Sequence, residues 1–132
     1  MRRPWHLTAT GPGRLLFEPG EGLDPAAAAS CTEEIVRALR AHAAHTLYYD
    51  VKDVAVIDAP YWRLLVAVDR GCRLFGARLV VVHMRPETAY ALAGQLRGAV
   101  PFACAQGLEE ELSKRPPAVP ARARRGVAGV LD

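Results

Sequence analysis

At 132 residues, with 51% hydrophobic and 23% charged residues, the chain has the make-up of one globular domain that buries a core without staples. No apolar run reaches the ~18–20 residues of a membrane span, and the start, MRRPWHLTATGPG, lacks the apolar segment of a signal peptide, so a cytoplasmic location and no membrane partner are expected. The net charge of +3 divides into a tail of +4 from Lys114 onward and a body of −1, which argues against nucleic acid as a partner.

Taken in order, residues 5–9 and 14–18 read as short strands joined at Gly11-Pro12-Gly13, a hairpin at one edge of a sheet. Asp24-Pro25 opens a helix that runs to about His45, with Ala28, Cys31, Ile35, Leu39 and His42 on its apolar stripe. Leu47-Tyr48-Tyr49 is a strand. From Pro60 a second helix places Tyr61, Leu65, Val68, Cys72 and Phe75 inward and ends at Gly76. Arg78 to His83 is a buried parallel strand, Pro86 to about Gln95 a third helix, VPFAC a last strand and Gln106 to Lys114 a fourth helix. Alternation of strand and helix predicts an α/β domain over 1–115, with a mainly parallel sheet, an antiparallel edge strand and about four helices. The Pro/Ala-rich, basic stretch 116–132 has no periodicity and is expected to be disordered.

Few residues are arranged for chemistry. The cysteines at 31, 72 and 104 have no CxxC spacing and read as buried free thiols. His42 and His45, three apart at a helix end, suit the helix dipole better than a metal. His83, at the end of an apolar strand, is expected to bond to nearby backbone. Asp50, Asp53 and Asp58 surround the first strand-to-helix joint, where open α/β sheets bind ligands. Asp53 suits a turn and Asp58 a helix cap better than a metal or phosphoacceptor site, and no metal or cofactor is expected.

The stretch TLYYDVKDVAVIDAPYWRLLVAVDRGCRLFGARLVVVHMRPETAYALAG, Thr46 to Gly94, carries the distinctive joints. Asp58-Ala59-Pro60 opens one helix and Arg85-Pro86-Glu87 another. That order of elements with those joints resembles a STAS domain, the family of bacterial anti-sigma factor antagonists and stressosome proteins. The resemblance implies a non-enzymatic protein-binding module in stress or sigma-factor signalling. Its partners would be an anti-sigma factor serine kinase or other STAS proteins, and it allows self-association as a homo-oligomer.

In the family, a serine or threonine after the aspartate is phosphorylated, and a second threonine lies in the helix after Arg-Pro-Glu. The matching residues here are Ala59 and Ala91, which have no hydroxyl, so the switch is absent; Thr88 sits one turn before Ala91. The surface implied for partner binding is formed by Asp58, Ala59, Pro60, Tyr61, Trp62, Arg85 and Thr88. Tyr61 fits the inner stripe. Trp62, about 100° around the helix, then points outward or along a rim, the alternative being packing beneath the preceding loop. A small-ligand sensor using a pocket at the carboxyl end of the sheet is the alternative function.

Overall fold

Pro12 and Gly13 reverse the chain between β1 (Trp5–Gly11) and β2 (Arg14–Pro19), which pair antiparallel from Trp5↔Pro19 to Gly11↔Arg14. Gly13 has φ 71°, and a β-carbon there would stand 2.4 Å from the His45 ring, so the turn requires glycine twice over. The computed structural model describes residues 5–20, 23–54, 56–96 and 101–105. Strands β3 (Thr46–Asp50), β4 (Arg78–Val82) and β5 (Ala103–Ala105) continue the sheet in parallel, in the order β1-β2-β3-β4-β5.

Because strand order follows chain order, right-handed crossovers carry the connecting helices to one face. Those helices are α1 (Ala28–Ala41), α2 (Ala59–Leu74) and α3 (Pro86–Leu96). Alternate residues of the strands, Leu15, Phe17, Leu47, Tyr49, Leu79 and Val81, form the floor beneath them. Ile35 and Leu39 of α1 and Leu65 and Val68 of α2 fill the space above, at most 2% exposed, and Ala89 of α3 packs on the same cluster. The other strand face buries Tyr48, Val80 and Val82, with Leu16, Ala103 and Ala105 against them.

The predicted architecture holds, a mainly parallel sheet with one antiparallel edge. Local ends differ. Helix α1 stops at Ala41 rather than near His45, because Ala43 turns left-handed at φ 47°. The Ala43 and Ala44 N–H groups then donate to the Arg40 and Leu39 carbonyls. His42, expected on the stripe, is its exposed cap. Helix α2 ends in the same hydrogen-bond pattern, with Gly76 at φ 71° as the sequence predicts. Phe75, expected inside, is 42% exposed, with the Arg40 guanidinium 5.6 Å from its ring centroid. Cys31 and Cys72 are buried as expected, whereas Cys104 is exposed, because it lies on an edge strand. The expected fourth helix and the tail 116–132 lie outside the described residues.

Candidate functional site

The candidate site is the joint between β3 and α2. Asp58 has extended backbone and its Oδ1 accepts the Tyr61 N–H at 3.0 Å, while its carbonyl accepts the Trp62 N–H at 2.9 Å. With the cap satisfied and proline in the first turn, α2 begins abruptly. Asp58, Ala59 and Pro60 are all exposed. The Ala59 side chain is a methyl group, so this helix start presents N–H dipoles and no hydroxyl.

Asp50, at the end of β3, is 4% exposed and organises the loop beside it. Its Oδ1 accepts the Lys52 N–H at 2.9 Å and faces the His83 Nδ1 at 2.9 Å; its Oδ2 lies 3.6 Å from the Lys52 ammonium, itself 3.8 Å from Glu18. His83 has φ 63° and its N–H donates to the Ala105 carbonyl. The expected backbone partner of the His83 ring is thus a carboxylate, since the left-handed turn swings the ring across to β3. A buried Asp50 charge is compensated, as burial demands.

The Asp50–Asp53–Asp58 trio does not converge on one point. Asp50 is committed to Lys52 and His83, Asp53 is exposed in the loop, and Asp58 caps α2. Among the described residues, no group of three or more His, Cys, Asp or Glu could hold a metal ion.

Beneath the joint, the Tyr49 and Tyr61 hydroxyls stand 2.7 Å apart with their rings edge-on at 85°. Burial pushes Tyr61 up to about 12 and Tyr49 higher still, so both stay protonated at neutral pH. Burial first, and the Glu34 charge second, push the Cys31 thiol up to about 12, which leaves it no thiolate character. Burial with the Asp69 charge does the same at Cys72. The tyrosine pair supports the joint, and none of these four groups offers a nucleophile.

Trp62 is not an outward anchor. It is 8% exposed and its ring lies 5.1 Å from that of Phe102. Both Tyr61 and Trp62 are therefore buried, because Phe102, just before β5, supplies a second wall that helix geometry alone does not reveal. Arg85 and Ala91 are exposed and Thr88 is half-buried. Two apolar side chains at the same end of the sheet escape sequence reasoning: Val56 in the loop before α2, 68% exposed, and Tyr90 on α3, 84% exposed. Val56 sits in the apolar run VAVI, in the turn-rich segment between β3 and α2.

A cavity of about 280 Å³ opens at the opposite end of the strands from the one the ligand-sensing alternative requires. Asp69, Arg73, Arg78, Leu79 and Phe102 line it. No helix among the described residues is long and apolar enough to cross a membrane.

No protein-family model and no curated protein sequence matches this chain. Solved structures do. An RsbS variant from Moorella thermoacetica, with a serine changed to glutamate, superposes with a TM-score of 0.68 at 23% identity, over 85% of this chain and 95% of that one. Phosphorylated SpoIIAA, a Bacillus cell fate determinant, gives 0.60 at 17% identity, over 82% and 96%. A chain from the stressosome, described as a signal integration and transduction hub, gives 0.63 at 20% identity, over 81% and 92%. At this level of identity the likeness is one of fold: the chain has the STAS fold of anti-sigma factor antagonists and stressosome proteins.

Proposed function

We propose that this chain is a non-enzymatic signalling module that binds another protein through the start of α2, without a phosphorylation switch. The observation that carries the reading is the exposed Asp58-Ala59-Pro60 turn, capped and presented at the end of β3 with a methyl group where phosphate would be received. A phosphate there would add roughly −1.5 to −2 charge beside Asp58 and change what docks; alanine fixes the unmodified surface. Arg85, Thr88, Val56 and Tyr90 extend that surface along the same end. Exposed aromatic and aliphatic side chains within a polar rim suit a protein partner. The partner class is an anti-sigma factor serine kinase or another STAS protein.

The test titrates purified proteins of those two classes from the same cell against the wild-type chain and Ala59→Glu, which imitates the phosphorylated charge. Wild-type binding, weakened at least about tenfold by Ala59→Glu, about 1.4 kcal/mol, is the expected result. Equal affinity of both forms, or no binding by the wild type, overturns the reading.

A further inference from the structure

Strand direction sorts the charges of this chain to two ends. Strands β2, β3 and β4 run parallel to one another, and α1 and α2 return alongside them in the opposite sense. The end where these strands begin and the helices stop therefore collects Arg40, Arg70, Arg73 and Arg78. The carboxylate among them, Asp69, is 5% exposed and paired with the Arg73 Nε at 3.0 Å, so it offsets Arg73 and leaves Arg40, Arg70 and Arg78 to set the sign of that end. The opposite end collects Glu18, Asp24, Asp50, Asp53, Asp58 and Glu87. Of its cations, Lys52 is drawn onto Asp50 and Glu18 at 3.6 and 3.8 Å, and Arg63 and Arg85 are the others.

Each end also presents apolar side chains inside its charged surround. At the basic end Leu74 is 81% exposed, one helical turn after Arg70, and half-exposed Phe75 lies under Arg40. Val56 and Tyr90 stand exposed at the acidic end. The complement that the basic end needs, an apolar spot with a carboxylate rim, is thus present on the chain itself. The described residues carry as many carboxylates as Lys and Arg, so within them the two ends differ in sign with no net excess of either.

We infer that the basic end around Leu74 and Phe75 docks on the acidic end of a second copy of this chain. The two surfaces are different, so the contact is heterologous: copies add in series or close into a ring, rather than stopping at a twofold dimer. Charge complementarity steers the encounter, and salt weakens it.

The full chain is measured by light scattering after size-exclusion, at ionic strengths of about 0.01 M and 1 M, where the screening length is ~30 Å and ~3 Å. At low salt the mass rises with concentration beyond twice the 14.3 kDa of one chain, and at high salt it falls back to one chain. Two variants at exposed positions separate the ends: Arg40→Glu with Arg70→Glu, and Val56→Ser with Tyr90→Ser. Each alone is monomeric with an unchanged circular dichroism spectrum. Their equimolar mixture forms a pair, one copy of each, that grows no further, because one intact acidic end meets one intact basic end. A wild-type monomer at low salt, a dimer that both variants leave intact, or a mixture that stays monomeric overturns the inference.

Discussion

The Tyr49 hydroxyl meets the Tyr61 hydroxyl at 2.7 Å and ties the end of β3 to the first turn of α2 directly under the exposed joint. Both rings are at most 5% exposed, so each hydroxyl depends on the other. Tyr61→Phe strands the Tyr49 hydroxyl and should lower stability by ~1–3 kcal/mol, the desolvation penalty of a buried polar group. Adding Tyr49→Phe should recover part of that loss, because two buried partners removed together leave nothing unsatisfied. Urea denaturation of the two single variants and the double variant measures the coupling.

The same pair makes the fold sensitive to alkali. Both tyrosines have folded-state values raised above the ordinary 10.0, Tyr61 to about 12, with burial as the main cause. The folded chain keeps its protons while the unfolded chain releases them above pH 10, so stability present below pH 10 falls between about pH 10 and 12. The slope is up to ~1.4 kcal/mol per pH unit for each group. Urea midpoints at pH 9 and pH 11 should differ for the wild type and differ less for Tyr49→Phe/Tyr61→Phe.

Trp62→Ala should act on folding. Its ring is packed on Phe102 beneath α2, and removal of a buried aromatic costs ~3–5 kcal/mol. Phe102→Ala should expose the Trp62 ring and shift its fluorescence to the red. A Trp62→Ala protein with wild-type melting temperature would contradict this packing.

Gly71 sets how closely α1 and α2 approach. A β-carbon there would lie 2.9 Å from the Thr32 methyl carbon and 3.2 Å from a Val36 methyl carbon. Gly71→Ala gains up to ~1 kcal/mol of helix propensity but overpacks the contact, at ~1–3 kcal/mol, so net destabilisation is expected. Thr32→Ser removes the offending methyl and should turn the same Gly71→Ala change towards stabilisation. Thermal melts of the four combinations decide the sign.

Ala59→Ser restores a hydroxyl at an exposed, capped helix start and should alter stability by no more than about 0.5 kcal/mol. A kinase that modifies STAS proteins should phosphorylate this variant on residue 59 and leave the wild-type joint unmodified. Mass spectrometry of the peptide spanning Tyr49 to Arg63 reads both outcomes. Phosphate on Tyr61 in the wild type would show that the switch has moved rather than vanished.

What the sequence alone determined was local. The caps at Asp24 and Asp58, the prolines after them and the glycine at 76 act within one helical turn, and alternation of strands with helices then dictates a mainly parallel sheet. The resemblance to the STAS family rested on two strand-to-helix joints, and the fold agrees with it. Only the tertiary structure decided the rest, because the deciding partners are remote in the chain. Trp62 is buried because Phe102 arrives from the far side of β4, and the His83 ring finds Asp50 across 33 residues. Val56 is exposed although it lies in an apolar run, since its loop leaves the sheet before α2 begins. The separation of arginines from carboxylates depends on which way each strand and helix runs, a direction that the net charge of +3 does not carry.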